Sequence, residues 1–450
     1  MSEQEIKVPK RILNNLLSSL TAGVVPRVGA PYIAIGRKDE LSALLTSIDA
    51  VAEGGATVRF LIGRYGSGKS FLMQLLRGYA MDRNFLCADC DLSTDQRRLC
   101  GGNGAGLATY KELLRNLACK AMPDGGALSV VLSRHYASLL TALTKEGILP
   151  EDARFSDALR KKVTDTFSTL ENSVGGFDFS RVVCEYFLAY AAENEERKSA
   201  CLRWLRGEFS NKTEAKAALG FRISTVVDDE NWYDFIKLWA RLARHLGYAG
   251  LIVYIDECII LYKIVNRVSR ESNYEKLLTI FNDTLQGRAE GLGVIFGGTP
   301  QFLEDTRRGL FSYEALRSRL ADSRFAEMGY STLSSPVIRL RRLSDNELYA
   351  LVKRLSYLHA QQYGGDELLS DAQMKRFLEV SLSRAGAEEL MTPREIIRDF
   401  LSLLSILREH PEATFDVIMD EKNGRNNEAE RMNGEENSMS SAQELADFDF

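Results

Sequence analysis

Short apolar runs recur along the chain, each bounded by glycine or polar residues. Five of them have the length and composition of strands buried on both faces, and they read TVRFLIG, NFLCADCDL, GLIVYIDE, LGVIFGG and SPVIRL. Segments with a helical spacing of apolar residues separate these runs, an alternation typical of right-handed strand–helix–strand units. The pattern predicts an α/β protein with a parallel sheet of about five strands and helices on both faces.

Helical patterns also fill longer stretches outside the predicted sheet. About 155 residues separate the second and third runs, where a simple crossover needs roughly 30, and they show no strand pattern. We predict a helical segment over 1–30, a core over 31–343 with a helical insertion at about 107–245, and a helical lid over 344–415. The remainder, 416–450, is rich in Asn, Glu, Ser and Gly and predicts a disordered acidic tail.

Charge and cysteine usage narrow the class of protein. The net charge is −5, and residues 421–450 alone carry eight acids and three bases, so the rest is neutral and offers no general attraction for nucleic acid. No apolar run reaches the roughly 18 residues of a membrane helix, and no apolar signal segment opens the chain. Seven dispersed cysteines and four distant histidines favour reduced core thiols over disulfides or a metal site. We expect a cytoplasmic protein.

The first apolar run leads into GRYGSGKS, residues 63–70, which fits the phosphate-binding loop pattern GxxxxGK[ST]. Glycines let the backbone N–H groups wrap a polyphosphate closely, a lysine reaches the β and γ phosphates, and a serine hydroxyl ligates Mg²⁺. The helix that follows directs its positive end at the anion. The cofactors predicted are ATP and Mg²⁺. The predicted nucleotide contacts are Gly63, Arg64, Tyr65, Gly66, Ser67, Gly68, Lys69, Ser70 and Phe71.

The third apolar run ends in Asp256 and Glu257. An acid at this strand end supplies a Mg²⁺ ligand beside Ser70, and an adjacent carboxylate can polarise the attacking water. We predict these roles for Asp256 and Glu257 respectively. The alternative is that the acids only cap a helix.

Thr299 directly follows the fourth run and lies on the same predicted sheet edge. Its hydroxyl could hold the attacking water. The alternative is a helix cap, because Pro300 follows at the first helical position.

Several arginines could read the γ-phosphate. Arg317, Arg319 and Arg324 lie in YEALRSRLADSRF, and Arg394 and Arg398 share a helix face in TPREIIRDF. An arginine supplied across a subunit interface can accelerate phosphoryl transfer by roughly 10³ to 10⁵. The alternative is that they are solvated helix charges.

Together these segments resemble an AAA+ ATPase. The resemblance implies Walker A at 63–70, Walker B at Asp256 and Glu257, a sensor 1 role for Thr299, an arginine finger at Arg319 and a sensor 2 role for Arg394 on the lid. AIGRKDEL, with Gly36, Arg37 and Glu40, is similar to the GRxxE segment of the origin-recognition and STAND branch, where it helps to cover the adenine. No room remains for a C-terminal winged helix, so DNA contact would have to come from the insertion or a ring pore.

A closer resemblance is to the bacterial family of BREX phage-defence ATP-binding proteins, of the BrxD-like kind. It rests on stretches such as GVVPRVGAPYIAIGR, RYGSGKSFLMQLLRGYA, GLATYKELLRNLA and LMTPREIIRDF. This resemblance implies a defence or DNA-maintenance system and a neighbouring helicase as partner. It implies no reaction beyond ATP hydrolysis. An arginine supplied between subunits would require a homo-oligomer, which we also expect.

Two further segments carry hypotheses about partners. RLCGGNGAGLATY, residues 98–110, is interpreted as a mobile loop, with Tyr110 or Lys111 touching a threaded polymer. The terminal SAQELADFDF, with Leu445, Phe448 and Phe450, could dock in a basic-rimmed groove or simply aid solubility.

Two functions of different kinds remain in view. The first is an ATP-hydrolysing, oligomeric subunit that remodels or loads a DNA-associated partner. The second is a switch in which ATP occupancy alone controls partner binding. A kinase is disfavoured, because kinases rarely combine such an acid pair with a helical lid.

Overall fold

The computed structural model describes residues 7–167, 174–322, 333–383 and 391–419. Arg324 and the predicted tail from residue 420 onward lie outside the described residues. The chain divides into two compact units. Of the described residues, those within 1–36, within 65–71 and from 341 onward form the helical unit, and those within 37–64 and 72–340 form the sheet unit.

Five parallel strands form the sheet, in the order β2-β3-β4-β1-β5. They are β1 Thr57–Ile62, β2 Leu86–Asp91, β3 Leu251–Asp256, β4 Leu292–Gly298 and β5 Val337–Arg339. Each strand lies within one of the five apolar runs, so the predicted α/β class with an all-parallel sheet is confirmed.

The register of the strands sets which residues share the carboxyl edge of the sheet. Asp91 pairs with Asp256, and Ile62 pairs with Gly298. All residues of β3 and β4 are buried, which explains why their sequences are apolar without alternation. In open α/β sheets this carboxyl edge is where ligands bind.

Seventeen α-helices of the described residues are labelled here. They are α1 Lys10–Thr21, α2 Lys38–Ala52, α3 Lys69–Asp82, α4 Ala105–Arg115, α5 Leu128–Lys145, α6 Phe155–Phe167, α7 Gly176–Ala191, α8 Glu195–Leu205, α9 Lys212–Leu219, α10 Trp232–His245, α11 Ile259–Lys263, α12 Arg267–Leu285, α13 Pro300–Glu304, α14 Glu314–Leu320, α15 Asp345–Tyr363, α16 Asp371–Leu382 and α17 Pro393–Glu409. Helices α2 and α12 contact β1, while α10 contacts β3 and β4.

An aromatic core holds the helices between β2 and β3 together. The rings of Phe179 and Trp239 lie 5.1 Å apart in an edge-to-face arrangement, and those of Trp204 and Phe235 lie 5.6 Å apart. Tyr110 belongs to the same core: it is fully buried, donates to the Leu205 carbonyl at 2.6 Å and accepts from Trp239 Nε1 at 3.0 Å. The hypothesis that Tyr110 touches a threaded polymer is therefore wrong.

The segment that precedes α4 is anchored. Asn273 on α12 accepts from the backbone N–H groups of Leu99 and Cys100 at 3.0 and 2.9 Å, and its amide donates to the Cys100 carbonyl at 2.8 Å. Leu99 is fully buried. The interpretation of this part of the 98–110 segment as a mobile loop is wrong, because Asn273, which lies 173 positions after Cys100, forms hydrogen bonds with its backbone.

The helical unit has its own apolar core, to which α1 and the helices that follow residue 341 contribute. Helix α1 contacts α15 and α17, and α16 contacts both of these C-terminal helices. Its buried side chains Leu13, Leu16, Leu17 and Leu20 pack with Leu351, Leu355, Phe377 and Phe400 among others. Capping boxes start α15, α16 and α17 at Ser344, Ser370 and Thr392.

Candidate functional site

The phosphate-loop sequence leaves the sheet at the end of β1. The Gly63 N–H donates to the Gly298 carbonyl at 3.1 Å, so it prolongs the ladder by one residue. Gly66 and Gly68 then adopt φ values of 74° and 93°, which residues with a Cβ rarely adopt. Helix α3 begins directly afterwards at Lys69. Alternating backbone conformations before a helix start make the concave set of N–H groups that binds anions.

Two glycines of the loop have different surroundings. A Cβ at Gly68 would meet nothing within 4 Å, so the backbone is open to close approach there. Gly66 is crowded instead, because a Cβ would stand 2.6 Å from Oγ1 of Thr392, the N-cap of α17. One glycine therefore leaves room for a ligand, and the other lets α17 touch the loop.

The exposed side of the loop also contacts α17. Nη1 of Arg394 donates to the Tyr65 hydroxyl at 3.3 Å, and the guanidinium carbon lies 5.3 Å from the centre of the Tyr65 ring. Arg64 is likewise exposed, while Ser67, Lys69 and Ser70 are half-buried. Phe71 packs against the core of the helical unit.

The acid pair lies at the carboxyl end of β3. Asp256 is 8% exposed, and its Oδ1 accepts from the backbone N–H of Glu257 at 2.8 Å. Glu257 itself has φ of 57°, one of three positive values among non-glycine residues in the described chain. Such a conformation costs about 1–3 kcal/mol and persists where the surroundings impose it, often at functional sites.

A glycine on the neighbouring strand makes room for this arrangement. A Cβ at Gly297 would stand 2.2 Å from Asp256 Oδ1 and 3.2 Å from Met73 Sδ, while the Gly297 carbonyl accepts from the Cys258 N–H at 2.9 Å. Gly297, the first glycine of the GG pair in LGVIFGG, is therefore a residue beside the predicted site that the sequence reasoning missed. Its signal was a glycine inside a fully apolar strand.

Asp91 is a second residue that the sequence reasoning missed. It ends β2, opposite Asp256, and the Leu92 N–H donates to the Asp256 carbonyl at 3.1 Å. The Asp91 side chain reaches solvent, but desolvation and then repulsion from Asp256 and Glu257 raise its pKa to about 6. An acid at the end of a parallel strand was the available signal.

Thr299 has the geometry of a helix cap. Its Oγ1 accepts from the Phe302 N–H at 3.3 Å, and Pro300 is the first residue of α13. The structure thus shows the capping contact, and the water-holding role stays a prediction.

The other predicted residues occupy separate parts of the units. Arg319 is exposed on α14, where its Nη1 donates to the Ala315 carbonyl at 2.7 Å. Arg37 is buried and forms an ion pair of 3.1 Å with buried Glu40. A Cβ at Gly36 would stand 2.6 Å from Leu343 at the start of the C-terminal helices.

Oxygen ligands suit Mg²⁺, and the proposed donors are a buried carboxylate, Asp256, and a hydroxyl, Ser70. No group of three or more His, Cys, Asp or Glu that could hold a metal occurs among the residues described. In proteins, Mg²⁺ commonly keeps several waters and binds substrate phosphates beside one or two carboxylates. Nor does any helix in the described ranges have the length and apolar character needed to cross a membrane.

Comparison with known proteins agrees with the nucleotide-loop geometry. No curated protein matches the sequence. A family model described as BREX system ATP-binding protein BrxC/D matches residues 8–423, which include the loop, both strand-end acids and α17. The resemblance stated from the sequence is confirmed, and this chain belongs to the BREX system ATP-binding protein BrxC/D family.

Proposed function

We propose that this protein hydrolyses ATP with Mg²⁺, and that the cycle remodels or loads a DNA-associated partner, such as a helicase, in BREX phage defence. The observation that carries the proposal is the acid pair at the end of β3. Asp256 is buried against Gly297, and Glu257 is held in a left-handed conformation immediately after it. A plain helix cap requires neither feature.

The residues divide the chemistry between them. N–H groups of 63–70 and the Lys69 ammonium bind the phosphates, and the Ser70 hydroxyl and Asp256 carboxylate hold the metal. When bound, Mg²⁺ neutralises charge on the β and γ phosphates. Glu257 accepts a proton from the water that attacks phosphorus, and ADP leaves with the bridging oxygen. Gly36 and Arg37 cover the adenine, and Thr299 orients the water.

Arginines complete the proposed site and connect it to assembly. Arg394, on α17, contacts the γ-phosphate. Coupling between nucleotide binding and the position of α17 is supported by the contact of α17 with the loop at Gly66. Arg319 is exposed near the end of a helix, as a residue that serves a neighbouring subunit must be. We therefore propose a homo-oligomer in which one subunit contributes Arg319 to the ATP site of its neighbour. DNA contact occurs through the assembled ring or through the partner.

Replacing Glu257 with Gln tests hydrolysis directly. Phosphate release should fall about 100-fold or more, because a general base contributes 10²–10⁴, while ATP binding measured by calorimetry persists. Undiminished phosphate release by Glu257→Gln would remove the proposed base.

Mixing two inactive variants tests the shared site. Lys69→Ala lacks the phosphate lysine but keeps Arg319, and Arg319→Ala has the opposite defect. If Arg319 acts across the interface, mixing them restores part of the phosphate release. No restoration, with native mass showing a monomer in ATP, contradicts the shared site.

A switch that needs no turnover is the second candidate. The contact between α17 and the loop favours it, because nucleotide at the loop would directly move the helical unit's residues. Defence against phage by Glu257→Gln at the wild-type level would favour the switch. Loss of defence, with ATP still bound, favours the hydrolysing machine.

A further inference from the structure

Tyr65 is an unusual residue for a phosphate loop because it is large, aromatic and 68% exposed. Its ring does not enter an apolar core. Instead, it lies under the guanidinium of Arg394, whose central carbon is 5.3 Å from the ring centre, and its hydroxyl accepts from Arg394 Nη1 at 3.3 Å. Both residues belong to the helical unit.

A capping box holds the backbone at the start of α17, next to Arg394. The Thr392 side chain accepts from the Glu395 N–H, and the Glu395 carboxylate accepts from the Thr392 N–H at 2.9 Å. Pro393 restricts the first helical residue, and Thr392 touches Gly66 next to Tyr65. Arg394 thus extends from a rigid turn, and its remaining freedom lies in the side chain that Tyr65 holds.

The electrostatic surroundings of Arg394 favour the binding of an anion. It occupies the second position of α17, where the helix dipole is positive and a cation is disfavoured by about 0.3–1 kcal/mol. In the part of the chain that the structure describes, no carboxylate forms an ion pair with Arg394, so the electron-rich ring is its compensating contact.

Tyr65 engages only part of the N–H donors of the Arg394 guanidinium. A guanidinium carries five N–H donors in one plane, and the Tyr65 hydroxyl engages Nη1. A ring that packs on the guanidinium and takes one donor fixes its direction while the other donors can meet phosphate oxygens.

We propose that Tyr65 is a positioning residue, which holds Arg394 beside the phosphate loop in the orientation that engages the terminal phosphate of ATP. Tyr65 therefore determines how strongly the protein distinguishes ATP from ADP. This inference rests on the proposed function, since it assumes nucleotide at the loop and phosphate recognition by Arg394.

Binding of Mg-ATPγS and Mg-ADP by calorimetry tests the proposal with three variants. Tyr65→Leu and Arg394→Ala should each weaken ATPγS about tenfold and ADP less than about twofold. Tyr65→Phe keeps the ring and should remain within about threefold of wild type for both ligands. The double variant should bind ATPγS no more weakly than Arg394→Ala, because both changes remove one coupled contact.

The chain offers a matched control at the other end of the same helix. Arg408 of α17 stacks on the Tyr363 ring with its guanidinium carbon 3.2 Å from the ring centre. Tyr363→Leu removes an equivalent arginine–tyrosine contact far along α17 from the loop, and should leave both affinities unchanged.

The outcomes separate this inference from the function on which it rests. Absence of ATPγS binding by the wild type would overturn the proposed function. If the wild type binds and Tyr65→Leu distinguishes ATPγS from ADP as the wild type does, only the role of Tyr65 is overturned. Equal weakening of both nucleotides by Tyr65→Leu and Tyr363→Leu would also overturn it, because that result is a general loss of packing.

Discussion

Gly297→Ala places one methyl group where the Asp256 carboxylate now stands. The added Cβ would lie 2.2 Å from Oδ1 and 3.0 Å from Cγ of Asp256, and real Cβ atoms essentially never approach closer than 3.0 Å. Gly297 is in an ordinary strand conformation, since its φ is not among the positive values, so the substitution strains no backbone dihedral. The change therefore acts through displacement of Asp256.

The size of the effect follows from the distances. Moving Oδ1 from 2.2 Å to an ordinary contact of at least 3.0–3.4 Å requires a shift of about 1 Å. The Met73 sulfur, 3.2 Å from the same Cβ, limits adjustment of the alanine. A misplacement of about 1 Å at a catalytic centre costs about 100-fold in rate, equivalent to about 2.7 kcal/mol of activation free energy.

The assay measures phosphate release at saturating Mg-ATP, together with the thermal unfolding of each variant. Gly293→Ala is the matched control on the same strand, because its Cβ would meet the flexible end of Ile252 at 2.7 Å, at the end of β4 away from the acids. We expect Gly297→Ala to lose about 100-fold in rate and Gly293→Ala to stay within about threefold, per folded molecule. A folded Gly297→Ala protein with a wild-type rate would refute the placement of Asp256 in catalysis.

Three other predictions concern stability and reactivity. In EDTA at pH 7.5, Asp91→Asn should raise the free energy of unfolding by about 1 kcal/mol after allowance for solvent screening, and the melting temperature should rise with it. The gain should vanish as pH falls through 6 towards 4, because the folded-state pKa of Asp91 lies above the unfolded one; a gain independent of pH would contradict this. Tyr110→Ala should lower the free energy of unfolding, measured by denaturant titration, by about 3–5 kcal/mol, whereas Lys111→Ala, at an exposed position, should lower it little. Equal effects of the two substitutions would place Tyr110 outside the core. In the native protein at pH 8 a thiol reagent should modify Cys100 first, because the other six cysteines are buried, and all seven should react in denaturant; rapid labelling of several native thiols would contradict the core packing.

The sheet could be predicted because its information is local. Strands β3 and β4 are buried along their whole length, so their sequences are continuous apolar runs that no polar surface interrupts. The helix start at Lys69 could also be predicted, because the phosphate-binding loop pattern is followed directly by a helix.

Contacts between distant segments could not be predicted in the same way. Helix α1 shows an apolar face, but nothing in that face specifies α15 and α17 as its partners. Burial of Tyr110 likewise depends on Trp239 and Leu205, which follow it by about 95–130 residues. The sequence alone does not show whether a tyrosine is exposed or buried, so it could not test the hypothesis that Tyr110 touches a polymer.

The candidate site contains residues that could be predicted from the sequence and contacts that could not. Asp256 and Glu257 were recognisable at a strand end, whereas the need for glycine at 297 arises only when β4 lies beside β3. The pairing of Tyr65 with Arg394 spans 329 positions and depends on the packing of α17 against the loop.

Calorimetric titration with Mg-ATP of the wild type and of Lys69→Ala, each checked for an unchanged melting temperature, tests the central claim most directly. We expect about one nucleotide per chain for the wild type and roughly 100-fold weaker binding for Lys69→Ala, because the proposed role of the Lys69 ammonium is to contact two phosphates. No heat of binding by the folded wild type, or equal affinity of the two proteins, would contradict a nucleotide site at this loop.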